Sequence, residues 1–100
     1  MQEPEKVTVA DRALIGWHKL SVLVQAKVLE KLGQLAGRPP EQWATEEVER
    51  WWPDDDLFAL GVWVGTAELL VFFRPAEGGR VRIESMALKE TIERFTARKS

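Results

Sequence analysis

Few residues in this sequence can move a proton or hold an ion. There is no cysteine and no tyrosine, and the one histidine is His18. Thiolate catalysis, disulfides and cysteine-type zinc sites are thereby removed, and a single imidazole cannot build a histidine-rich metal centre. His18 stands beside Lys19 on a predicted helix and is expected to be exposed or interhelical. The carboxylates gather as Glu46-Glu47 and Asp54-Asp55-Asp56. Consecutive carboxylates coordinate a cation poorly, so these read as a helix start and a turn, and no metal or cofactor is expected. Gly61, Gly65 and Gly78-Gly79 lack the pattern of a phosphate-binding loop and read as strand bends and turns. Arg80 and Arg82 share a predicted strand face with Glu84. That face is either solvated with a weak ion pair or a phosphate contact. There are five tryptophans, Trp17, Trp43, Trp51, Trp52 and Trp63. The adjacent Trp51 and Trp52 cannot both enter one core, so at least one is expected on a surface that meets a protein partner or a second copy.

The chain as a whole weighs against a general nucleic-acid binder, since 14 basic residues against 16 acidic ones give a net charge of −2. Affinity for nucleic acid comes largely from Lys and Arg neutralising phosphates, so only a local basic patch could supply it. A length of 100 residues with 45% hydrophobic content suits one domain around one core. The domain is expected to span 1–100, frayed at 1–5 and 97–100. No apolar run reaches the ~18 residues of a membrane span. The polar opening Met1 to Lys6 is unlike a secretory signal, and a cytoplasmic protein is expected.

The elements that must position these residues follow from periodicity. Lys6 to Ala10 alternates and is β-branched, which predicts a first strand at or near a sheet edge. Asp11 is a candidate N-cap for a helix through Ala13, Leu14, Trp17 and Leu20. Ser21 is a candidate cap for a second helix that lines up Val24, Val28, Leu32, Leu35 and Ala36, ended by Gly37 and Pro39-Pro40. The segment Glu41 to Trp52 favours a helical turn or two, with Thr45 capping and Val48, Trp51 and Trp52 as a short apolar stripe. Pro53 to Asp56 marks a turn. From Leu57 the period becomes extended. Strands are predicted at 57–64, at Ala67 to Phe73 and at 80–85, joined by Gly65-Thr66 and Pro75 to Gly79. The second is apolar on both faces, hence central and covered on both sides. In the third, Val81 and Ile83 point inward and Arg80, Arg82 and Glu84 outward. A last helix is expected from near Leu88 through Thr91, Ile92 and Phe95. The fold class is α+β, a helical hairpin packed on a small antiparallel sheet in the order β-α-α-β-β-β-α.

That order, with particular residues, resembles the RelE/ParE superfamily of toxin–antitoxin toxins. The run Val9-Ala10-Asp11-Arg12-Ala13-Leu14, followed by His18 to Leu32 with its Val24-Gln25 and Val28-Leu29, is similar to the family's opening. Leu35-Ala36-Gly37-Arg38-Pro39 matches its helix exit, and Asp56 to Leu60 its first meander strand. The likeness covers nearly the whole chain and implies a metal-independent endoribonuclease or gyrase toxin. An antitoxin would wrap its helical hairpin and sheet edge. Family members carry arginines on the sheet that bind RNA phosphates, but Leu60 to Glu68 holds no basic residue here. The resemblance therefore leaves Arg74, Arg80, Arg82 and Lys89 as catalytic candidates, with Arg94 nearby.

Three readings stand at this point. The first is a toxin acting on mRNA and the ribosome or on gyrase. The second is a catalytically silent interaction module of the same fold, using Trp51, Trp52 and Trp63. The third is an unrelated α+β domain. An RNA-cutting enzyme should gather Arg74, Arg80, Arg82 and Lys89 in one concave patch, whereas a binding module should show an apolar patch rimmed by tryptophan.

Overall fold

The computed structural model describes residues 6–52, with the side chain of Trp52 excepted, and 56–92. Five strands form one sheet: β1 (Val7–Val9), β2 (Val48–Trp52), β3 (Leu57–Val64), β4 (Ala67–Ala76) and β5 (Arg80–Leu88). Their order is β1-β5-β4-β3-β2. The four later strands form an antiparallel meander, and β1 closes the other edge parallel to β5. The apolar strand expected to be central is β4. Helices α1 (Leu14–Lys19) and α2 (Val22–Leu35) lie between β1 and β2 in sequence. The α+β class and the hairpin on a sheet are as the periodicity predicts.

Local chemistry explains the helix ends. Ser21 Oγ accepts from the Val24 amide at 3.2 Å, and Gly37 just beyond α2 has φ 86°, where a glycine costs nothing sterically. Val28, Leu32 and Leu35 of α2 are buried on the sheet. Asp11 is not the expected N-cap. It begins a short 3-10 turn, Asp11–Ala13, whose cap position is Ala10 with no side-chain hydrogen bond. His18 is exposed.

Two expectations are corrected. Residues 48–52 are extended, not helical. The Thr45 hydroxyl accepts from the amides of Glu47 and Val48, both at 3.2 Å, a local pattern that also starts helices and so misleads from sequence. The chain instead pairs with the open edge of β3, with Val48 opposite Leu60 and Arg50 opposite Phe58. This puts Val48 in the helix-side core and Trp51 on the other face. Secondly, Glu84 is buried, not outward. The register between β4 and β5 shifts there: Phe73 pairs with Ile83 but Phe72 with Ser85. Glu84 is the extra residue of a β-bulge, and the side chains of Arg12, Arg74 and Arg82 close over its carboxylate.

The main core lies between the helices and the sheet. Trp43, Phe58 and Phe73 stack at its centre, with Trp43 5.2 Å from Phe58 and 5.7 Å from Phe73 between ring centroids. Trp43 Nε1 donates to the Arg38 carbonyl at 3.0 Å, which satisfies its one polar atom. A smaller cluster on the opposite face joins Ala59, Leu70 and Phe72 to Trp51, Leu57, Ala87 and Ile92. Residues 89–92 are helical, so the last helix starts where periodicity placed it. The expected fraying at 1–5 and 97–100, the Pro53 to Asp55 part of the turn, and Arg94 and Phe95 lie outside the described residues.

Candidate functional site

The four cationic candidates divide between two places on the sheet. Arg74 and Arg82 are paired across β4 and β5, and both reach Glu84. Arg82 Nε donates to Glu84 Oε1 at 2.8 Å, and Arg74 Nε lies 3.2 Å from the same oxygen. Arg12, from the 3-10 turn, donates through Nη2 to Glu84 Oε2. The Glu84 side chain is only 5% exposed under these three guanidiniums. Burial alone would raise its pKa, but hydrogen bonds and charge from Arg12 and Arg82 outweigh that and hold the carboxyl below its ordinary value. Arg80 is exposed at the start of β5.

Lys89 lies beyond the other end of β5, where its Nζ is 3.2 Å from Glu68 Oε1. From Arg82 to Leu88 the strand covers roughly 20 Å at ~3.3 Å per residue. Arg74 and Arg82 thus form one cluster, organised by a carboxylate, and Lys89 belongs to another. Sequence reading missed Arg12, which meets Glu84 across 72 positions. No local spacing carries that signal.

The concave feature is instead a groove of about 1130 Å³. Its floor on the face away from α2 is Ala59, Gly61 and Leu70, with Trp51 and Trp63 along it and Glu49, Glu68 and Lys89 at its sides. It continues round the β2 edge to Lys27, Lys31, Glu46 and Glu47, where Lys31 donates to Glu47. Strand pairing dictates this layout. Trp63 pairs with Glu68, Gly61 with Leu70, and Ala59 with both Phe72 and Glu49, so these residues share one face. Trp51 rests edge-on against Phe72 with centroids 5.3 Å apart, and Trp63 is 61% exposed. A Cβ on Gly61 would fall 2.7 Å from Glu68 Oε2, so the glycine is what lets the Glu68 carboxylate fold over the floor towards Lys89. Gly61→Ala should displace that flexible carboxylate and loosen the Glu68–Lys89 pair at a stability cost below about 1 kcal/mol. The check is the Lys89 side-chain ammonium signal by NMR; an unchanged signal would contradict this placement.

A third feature lies on the helical hairpin. Ile15, Val22 and Leu23 are 72%, 79% and 83% exposed, and Leu29 is 41% exposed. Val22, Ala26 and Leu29 follow helical spacing on the side of α2 away from its buried stripe. Among the described residues no group of His, Asp or Glu is arranged to hold a metal ion. None of their helices is long and apolar enough to cross a membrane.

No protein-family model and no curated protein matches the sequence. Among solved structures the chain is similar to the isolated RelE toxin of E. coli, with a TM-score of 0.52 and 19% identity over 97% of this chain and 100% of that one. It is equally similar to a chain of the intact E. coli RelBE toxin–antitoxin complex, at TM-score 0.52 and 19% identity over 84% of this chain and 95% of that one. At this identity the likeness shows a RelE-like fold.

Proposed function

We propose that the chain is a RelE-like toxin of a toxin–antitoxin pair, and that it reaches its target, the ribosome or gyrase, through protein contacts. The observation that carries the pairing is the set of exposed apolar residues on the hairpin, Ile15, Val22, Leu23 and Leu29, on a fold shared with a toxin that was crystallised with its antitoxin. Exposed apolar residues of this kind suit the apolar face of a partner helix. The mode of action follows from the cations. Metal-free cleavage of RNA needs positive groups converging on one phosphate and a proton carrier beside them. Here Arg74 and Arg82 surround Glu84, Lys89 is held by Glu68 at the far end of β5, and the chain has no tyrosine. The same pairing, with Trp51 and Trp63 on the groove, favours a second reading, a catalytically silent interaction module of this fold.

The test combines induced expression with a library of short open reading frames from the source genome, selected for rescue of growth. Wild-type protein is expected to arrest growth, and the selection to yield a small protein that restores it. The double change Leu23→Lys/Leu29→Lys should keep the arrest and lose the rescue, since a buried lysine pair opposes an apolar partner face by several kcal/mol. Arrest with rescue unaffected by the double change would move the partner away from the hairpin. A well-folded protein that leaves growth untouched would favour the silent module.

A further inference from the structure

The two tryptophans, the small floor residues and the carboxylates of the groove form a recognition surface on the opposite side of the sheet from the hairpin. Trp51 and Trp63 stand about five or six strand positions apart, roughly 17–20 Å at ~3.3 Å per residue. Between them the groove is lined by Ala59, Gly61, Leu70 and Ile92, with the Glu68 carboxylate lying over Gly61. That length matches an extended segment of about six residues.

The charges decide what kind of segment. At the Trp63 end an ammonium is already seated, because Lys89 Nζ lies 3.2 Å from Glu68 Oε1 beside that ring. The opposite end has the same ingredients. Glu49 and Trp51 of β2 both line the groove, and Glu49 is exposed opposite the small Ala59. An aromatic face next to a carboxylate attracts a cation twice, through the ring's quadrupole and through the charge, and guanidinium suits both. Four carboxylates, Glu46, Glu47, Glu49 and Glu68, face three lysines, Lys27, Lys31 and Lys89, along the groove, and with Lys31 tied to Glu47 and Lys89 to Glu68 the remaining balance is one negative charge. That balance favours a cationic side chain over a polyphosphate strand.

We propose that this groove binds an extended segment of a protein partner through an arginine side chain set between Trp51 and Glu49, with the rest of the segment running along the groove towards Trp63. The Trp51 and Glu49 end of the site is on β2, apart from the exposed apolar residues of the hairpin, and its binding does not depend on toxicity. A protein that arrests no growth can still bind here, and a toxin can fail to bind.

The test uses the full chain labelled with 15N, whose five indole N–H signals report each tryptophan. Three six-residue probes are titrated: an alanine peptide with one central arginine, the same peptide with glutamate in place of arginine, and a single-stranded uridine hexamer. The expected result is a saturable shift of the Trp51 and Trp63 indoles with the arginine peptide, and at least a tenfold weaker response to the other two probes. Glu49→Gln should weaken the arginine peptide about tenfold while the Trp43 signal, deep in the core, stays in place as proof of folding. Equal responses to the arginine and glutamate peptides, preference for the uridine hexamer, or no shift of Trp51 with any probe would each overturn the proposal.

Discussion

Replacing Trp43 with alanine is expected to lower the unfolding free energy by about 4 kcal/mol, the range of large-to-small changes at fully packed aromatic sites. Trp43 is 1% exposed, touches Phe58 and Phe73, and donates its indole N–H to the Arg38 carbonyl. The truncation removes the ring contacts, leaves that carbonyl short of a partner, and opens a cavity where the loop after α2 crosses the sheet. Small domains have only about 5–15 kcal/mol in total, so a large share of the stability goes with one side chain. Denaturant unfolding followed by circular dichroism measures it as a lower midpoint with little change in slope. Trp63→Ala, on the exposed groove, is the control and should cost under about 0.5 kcal/mol. A loss below 1 kcal/mol for Trp43→Ala would mean that the three-ring cluster is not the centre of the core.

Glu84→Gln is expected to cost roughly 2 kcal/mol at neutral pH. A fully buried pair broken on one side loses about 3–5 kcal/mol, but Arg12 and Arg82 keep 70% and 48% of their side chains in contact with water, so the loss is discounted for screening. The sign with pH follows from the lowered pKa of Glu84, whose ordinary value is 4.5. Above about 4.5 the carboxyl is ionised in folded and unfolded chains alike, and the three arginines contribute fully. As pH falls below that value the unfolded chain takes up the proton first. The contribution fades until the folded carboxyl is protonated as well. As pH falls through and below 4.5, wild-type stability should therefore drop more steeply than that of Glu84→Gln, and the two curves should converge in acid. Parallel curves would show that Glu84 is not the anchor of Arg12 and Arg82.

Much of the frame was legible in the sequence because local chemistry wrote it. Ser21 and Gly37 mark the ends of α2, the 3.6-residue spacing of Val28, Leu32 and Leu35 marks its buried side, and the doubly apolar run from Leu69 to Phe73 marks the centre of the sheet. What escaped was non-local. Thr45 makes the same hydroxyl-to-amide bonds before a strand as before a helix, so only the free edge of β3 decides that 48–52 is extended. The bulge at Glu84 comes from strand register, which no alternation pattern carries, and the carboxylate is buried because Arg12 and Arg74 join Arg82 over it. Arg12 joins that carboxylate only because β1 lies parallel to β5 and brings the following turn over the strand. For the site, the sequence picked out Trp51, Trp52 and Trp63 as contact residues; the structure places Trp51 and Trp63 along the groove, and the side chain of Trp52 lies outside what is described. It also picked out Arg74, Arg80, Arg82 and Lys89, and the fold distributes these over two ends of β5. The pairing of Arg82 with Glu84 was readable from their shared strand face, but only pairing across the sheet shows that Glu84 also holds Arg74 and that Glu68 holds Lys89.

The most direct measurement is growth together with in-cell translation after induction of the wild type and of Arg80→Ala/Lys89→Ala, a pair chosen because both side chains are exposed and outside the core. Growth arrest by both proteins is the predicted result, since action through protein contacts does not need those two cations. Arrest and translation loss that the double change abolishes would contradict the contact-based action and return the chain to RNA cleavage. Unimpaired growth with soluble, folded wild-type protein would contradict the toxin reading itself.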